Sequence, residues 1–129
     1  MDQRTIFVAV SDIFFYTKIR DALLPHGYRL ERIRTQDEVK TKAGAGHPAA
    51  MILDMNDLTL DAFQALEQLK ADADLQTIPT LAFANHEEVE TWKRARELGV
   101  AKIVSRNEFS ARTRELVEEV IGHQPTARR

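Results

Sequence analysis

The feature that most constrains this chain is a repeated change of hydrophobic period. Short, unbroken apolar runs alternate with stripes of apolar residues spaced by about four. Ile6-Phe7-Val8-Ala9-Val10 is a continuous apolar run rich in β-branched residues, and it stops at Ser11-Asp12. Such a run reads as a strand buried on both faces. Over Asp12–Leu24, Phe15, Ile19 and Leu23 form the stripe of a helix that Ser11 or Asp12 can cap, and Pro25-His26-Gly27 stops it. Tyr28–Ile33 interleaves Leu30 and Ile33 with Arg29, Glu31 and Arg32, which suits a strand near a sheet edge. Thr35 and Asp37-Glu38 open a short second helix, expected to fade at Ala43-Gly44-Ala45-Gly46. Ala49–Leu53 is the next apolar run, followed by a helix across Leu60–Ala71 with Phe63, Leu66 and Leu69 on one side. Pro79 leads a fourth strand, Thr80–Ala84, a position where proline is tolerated. Glu87–Leu98 is a helix with an acidic first turn, which the helix dipole favours, and Gly99 stops it. Ala101–Ser105 is a fifth strand, and Ser110 is expected to cap a last helix over Ser110–Ile121.

Strand and helix thus alternate five times with short connections. This predicts an α/β fold: a doubly wound, five-stranded parallel sheet with five helices covering both faces. A length of 129 residues suits one domain, expected over residues 1–122 with a tail at 123–129. The charges nearly cancel, 18 Lys+Arg against 20 Asp+Glu, so no basic surface for nucleic acid is expected. No apolar stretch is long enough to span a membrane. The start, MDQRTIFVAV, has no secretory pattern, and a cytoplasmic location is the expectation. The absence of cysteine excludes disulfides, zinc–thiolate centres and thiol catalysis. The four histidines are scattered without helical pairing.

In open parallel sheets, ligands bind beyond the carboxyl ends of the strands. The residues delivered there are Ser11 and Asp12, Asp54 with Asn56, Ala84 with Asn85, and Ser105 with Arg106 and Asn107. Asp12 and Asp54 are expected to converge. Two close carboxylates need a cation or a shared proton, and an oxygen-only set including Asn56 favours Mg²⁺ over zinc. Arg106 can pair with a carboxylate or a phosphoryl group there. The alternative readings are that Asp12 is a helix cap and that Asp54 begins a turn. No GxGxxG or GxxxxGK occurs, and Gly44-Ala45-Gly46 precedes a strand, so a nucleotide- or flavin-binding domain is the least favoured reading.

These motifs, taken in order, resemble the receiver domain of bacterial response regulators over about residues 5–121. IFVAVSD resembles the family's first strand with its acidic pair, and AAMILDMND its third strand with the phosphoacceptor aspartate. Asp61 falls on an acid of the loop that follows. TIPTLAFA resembles the proline-led fourth strand, and ELGVAKIVSR the glycine-led approach to the fifth strand. The resemblance implies a CheY-like, flavodoxin-like fold of strand order 2-1-3-4-5. It places the phosphoacceptor on Asp54 and the acidic pair on Ser11 and Asp12, of which only the second is an acid. The strand-four hydroxyl falls on Ala84, the strand-five lysine on Arg106, the proline after it on Asn107, and the aromatic switch residue on Ile103. The family's methionine-proline reads Asp57-Leu58, and its glycine reads Ala62.

With one metal carboxylate gone, the resemblance implies that Mg²⁺ binds weakly, through Asp12, Asp54 and Asn56. Ala84 cannot be drawn in by hydrogen bonding and Ile103 cannot flip as an aromatic ring. A ligand shifts a two-state equilibrium only through differential contacts. The expected function is therefore a receiver-like signalling module acting by protein contact, with a degenerate phosphorylation site and an impaired phospho-switch. The alternative is a working Mg²⁺-dependent phosphoacceptor, modified on Asp54 by a histidine kinase. In either case the implied partner is a histidine kinase or a downstream signalling protein. A homodimer through helix 4, strand 5 and helix 5 is a further mode of contact. Trp92, mid-helix, reads as packing or as a partner anchor. Phe14-Phe15-Tyr16 cannot all face the core, so one of them should be exposed beside the site.

Overall fold

The computed structural model describes residues 4–122. The expected tail at 123–129 and the first three residues lie outside them. The chain runs β1 (Thr5–Ala9), α1 (Ile13–Leu23), a short 3₁₀ turn (Leu24–His26), β2 (Arg29–Arg32), α2 (Gln36–Gly46), β3 (Ala50–Asp54), α3 (Ala62–Lys70), β4 (Thr80–Ala84), α4 (Val89–Glu97), β5 (Lys102–Ser105), α5 (Arg106–Ala111) and α6 (Thr113–Gly122). All four strand pairings are parallel, and the sheet order is β2-β1-β3-β4-β5. The charged strand β2 is therefore an edge strand, and β3 lies at the centre.

Strand side chains alternate between two buried layers. Phe7, Ala9, Met51, Leu53, Ala82, Ala84 and Ile103 face α2, α3 and α4. Ile6, Val8, Val10, Ala50, Ile52, Leu81, Phe83 and Val104 face α1, α5 and α6. Burying each large side chain stabilises the fold by about 1.5–3 kcal/mol, and this two-sided burial is why the strands read as unbroken apolar runs. The period places Asp54 on the α1, α5 and α6 side, directly opposite Phe83 in the β3–β4 register.

The described residues form six α-helices, not the expected five. The segment after β5 divides in two. Ser105 caps α5, its Oγ accepting the Glu108 N–H at 3.0 Å, and the helix ends at Arg112, whose φ of −134° and ψ of 36° are not helical. Ser110, the expected cap, lies inside α5. The pattern Ser-x-x-Glu at Ser105–Glu108 is itself an N-terminal signal, but the apolar run ending at Ser105 hides it. The second helix does not fade at its glycines. It continues to Gly46 and closes at His47, with φ of 45°. Gly44 sits in open space, while a Cβ on Gly46 would come within 3.0 Å of the Phe7 ring. Gly46 thus marks a close approach of helix to sheet.

Candidate functional site

Asp54 ends the central strand, and its side chain is only 4% exposed. Oδ1 accepts the Asn56 N–H at 2.9 Å, and Oδ2 accepts from Arg106 Nη2 at 3.0 Å. Burial pushes the Asp54 carboxyl above its ordinary value. The Asn56 N–H and the Arg106 guanidinium work against that rise, while the nearby Asp57 carboxylate adds to it. Arg106 opens α5, and its guanidinium packs against two neighbouring rings. Its guanidinium lies 4.7 Å from the ring centre of Phe15 and 5.0 Å from that of Phe83. Those rings belong to a stack: Phe83 and Phe109 are 4.6 Å apart, and Phe15 and Phe83 5.1 Å. An arginine held over aromatic faces and paired with a carboxylate is more firmly oriented than a lysine would be.

Ser11 and Asp12 leave β1 in different directions. Ser11 donates twice to Asp57, from its N–H to Oδ2 at 2.7 Å and from its Oγ–H to Oδ1 at 2.8 Å. Asp57 Oδ1 also accepts the N–H groups of Thr59 and Leu60, each at 2.9 Å. Burial opposes ionisation of Asp57, yet the donors from Ser11, Leu60 and Thr59 prevail and hold its carboxyl below the ordinary value. Arg32 Nη2 donates to the Ser11 carbonyl at 2.8 Å and steadies this loop from β2. Asp12 is the N-cap of α1; its Oδ1 accepts the N–H groups of Phe14 at 2.9 Å and Phe15 at 3.2 Å. Asp12 and Asp54 do lie at the same edge, since Ala9 pairs with Leu53, but each carboxylate is occupied by different donors.

On the other side of Asp54, the Asn56 amide spans two loops. Its Oδ1 accepts the Asn85 N–H at 2.7 Å and its Nδ2 donates to Glu88 Oε1 at 2.9 Å. Ala84 and Ile103 are buried together in the layer against α4. Phe14 is 82% exposed and Phe15 is buried, the division expected of that aromatic run.

No protein-family model and no curated protein sequence matches the chain. Solved structures do match, closely in shape and weakly in sequence. The receiver domain of a signal transduction histidine kinase from Syntrophus aciditrophicus superposes with a TM-score of 0.83 at 18% identity, covering 96% of this chain and 94% of that one. The receiver domain of a sensor histidine kinase from Pseudomonas aeruginosa, which has a magnesium ion coordinated in its active-site cleft, gives 0.80 at 17% identity over 92% and 98%. A phosphorylated cyanobacterial phytochrome response regulator gives 0.77 at 17% identity over 98% and 96%. The chain has the receiver fold.

The residues placed at this receiver-fold edge include oxygens of the kind a divalent ion takes, but they do not form an assembled ligand shell. Mg²⁺ demands near-octahedral oxygen ligation. Each Asp54 oxygen accepts one hydrogen bond, from an N–H or from a guanidinium, and keeps a second lone pair; Asn56 Oδ1 accepts the Asn85 N–H, and Asp12 Oδ1 caps its own helix. Among the described residues, no group of three or more His, Asp or Glu is placed to hold a metal.

Sequence reasoning picks out Asp54, Ser11, Asn56, Asn85 and Arg106, and the structure gathers them around the carboxyl ends of β1, β3, β4 and β5. It misses Asp57, Glu88 and the aromatic stack. Asp57 carries a usable signal, because Asp-x-Thr after a strand is an Asx-turn pattern. The stack has none, since Phe15, Phe83 and Phe109 come from three elements far apart in the chain.

Proposed function

We propose that this chain is a receiver-type signalling module that acts by protein contact and is not itself an enzyme. In this reading Asp54 is held by an internal counter-ion and is not primed for phosphoryl transfer. The observation that carries it is the Asp54–Arg106 pair at 3.0 Å, with the carboxylate almost fully enclosed and the guanidinium packed against the Phe15 and Phe83 rings. Phosphoryl transfer to a carboxylate depends on access and on charge placed for the incoming oxygens. Here the main positive group is already spent on the acceptor. Ile13, Phe14, Leu58 and Val89 support the contact role: they are exposed, and all lie in the loops or first helical turns beyond the strand carboxyl ends. A histidine kinase or a downstream signalling protein is the class of partner this fold serves.

The test is incubation with Mg²⁺ and acetyl phosphate, followed by intact-mass measurement. No stoichiometric phosphoryl adduct is expected, and Mg²⁺ affinity should rise in Ser11→Asp. Full modification that disappears in Asp54→Asn, together with altered partner binding, would establish the alternative of a working Mg²⁺-dependent phosphoacceptor.

A further inference from the structure

Oxygens of the kind a cation takes reach this edge from two places in the chain, Asp12 from the β1–α1 loop, and Asp54 and Asn56 from the end of β3 and the loop that follows. A bound cation would tie those loops together. Protein groups already make that tie. Asp57, in the β3–α3 loop, accepts the Ser11 N–H at 2.7 Å and the Ser11 Oγ–H at 2.8 Å, and so grips the β1–α1 loop across 46 residues of sequence.

The Asp57 carboxylate is aimed by its own loop. Its Oδ1 also accepts the Thr59 and Leu60 N–H groups, each at 2.9 Å, an Asx-type turn that orients the side chain toward Ser11. Hydrogen bonds to a charged acceptor belong to the short, strong class, and four donors converge on this one carboxylate. From the other side, Arg32 Nη2 donates to the Ser11 carbonyl at 2.8 Å, and its guanidinium lies 5.5 Å from the Tyr16 ring centre. The buried Arg32 Nε has no hydrogen-bond partner among the described residues, so Ser11 is the group its polar atoms serve. The acids of this edge are balanced in the same internal way. Asp54 has Arg106, Asp57 has the Ser11, Thr59 and Leu60 donors, and Asp12 has the first turn of α1. An acid at position 11 would instead face the Asp57 carboxylate, and two charges so placed need a cation or a shared proton.

We propose that Asp57 is a positioning residue that ties the β1–α1 loop to the β3–α3 loop in place of a divalent cation. Ser11 is the group it grips, and Arg32 steadies the grip. The tie also sets the mutual placement of Ile13, Phe14 and Leu58, exposed apolar side chains close in sequence to the tied pair. It goes beyond the reading above, because it holds whether or not Asp54 accepts a phosphoryl group.

The experiment follows amide exchange at Ser11, Thr59 and Leu60 in ¹⁵N-labelled protein, in EDTA and in excess MgCl₂. In the native chain the three amides should exchange equally slowly in both. Asp57→Ala should speed all three roughly tenfold, the scale of a hydrogen bond to a charged group, and leave the Glu108 N–H, held by Ser105 Oγ, unchanged. Ser11→Asp should loosen the same region in EDTA and regain protection in MgCl₂, the cation then making the tie. Exchange in the native chain that slows on adding MgCl₂, or an Asp57→Ala effect that spares Ser11, overturns the proposal. A Ser11→Asp chain indifferent to MgCl₂ also overturns it. So does an equal gain at Glu108, because general loosening would then be the cause. Should Asp57→Ala not fold, the isosteric Asp57→Asn carries the same comparison.

Discussion

Asp54 and Asp57 lie three residues apart at the exit of one strand, and their surroundings push them in opposite directions. Asp54 is enclosed at the end of β3, meets one N–H and one guanidinium, and has its carboxyl raised by burial. Asp57 is half-buried in the following loop and collects N–H and O–H donors from Ser11, Thr59 and Leu60, which hold its carboxyl down. The comparison teaches that closeness in sequence says little about carboxylate chemistry. What decides it is the number of donors aimed at the charged form, weighed against the water removed.

Arg106→Ala tests the first environment most severely. It leaves Asp54 enclosed without its counter-ion and uncovers Phe15 and Phe83. Arg106 keeps 36% of its side chain in water, so a loss of about 2–3 kcal/mol is expected in urea unfolding, below the range for a fully buried pair. Arg106→Lys should recover part of it, and full recovery would mean that the ring contacts contribute nothing. Asp57→Ala tests the second environment. It strands the Ser11, Thr59 and Leu60 donors and should cost about 2 kcal/mol by the same measurement. Ser11→Ala removes only the hydroxyl donor and should cost about 1 kcal/mol. Asp12→Ala should cost about 0.5–1 kcal/mol as a lost helix cap, with α1 fraying seen by amide exchange.

The smallest effect is the most diagnostic. Between its raised folded value and the ordinary 3.8, Asp54 binds its proton in the folded chain before the unfolded one does, so acidification through that window adds stability. Below 3.8 the unfolded chain protonates Asp57 first, so its contribution is lost. In urea midpoints measured from pH 7 down to acid, Asp54→Asn should remove the gain above 3.8 and Asp57→Asn the loss below it. Two variants with parallel pH profiles would erase the distinction.

Much of the architecture is legible in the residues themselves. Thr80–Ala84 is read to the residue, β2 is read as an edge, and Phe15, Ile19 and Leu23 are the buried stripe of α1. The division of the last helix is not legible, because Ser105 serves as the last residue of a strand and as the cap of α5. At the site, Asn56 is chosen for its oxygen, yet both ends of its amide are committed to the β4–α4 loop. Asp12 is open to two readings in the sequence, and its hydrogen bonds to Phe14 and Phe15 make it a cap.

The amino-acid sequence by itself determined the order of strands and helices as far as β5, their apolar faces and the set of polar residues carried to the strand ends. Hydrophobic period is a local property, read over a few residues. Which acid meets which donor was decided only by the tertiary structure. Ser11 reaches Asp57 across 46 residues and Arg106 reaches Asp54 across 52. Contacts that distant exist only once strand order, register and the Phe15–Phe83–Phe109 stack have placed the side chains, and a hydrogen bond forms or fails within a few tenths of an ångström.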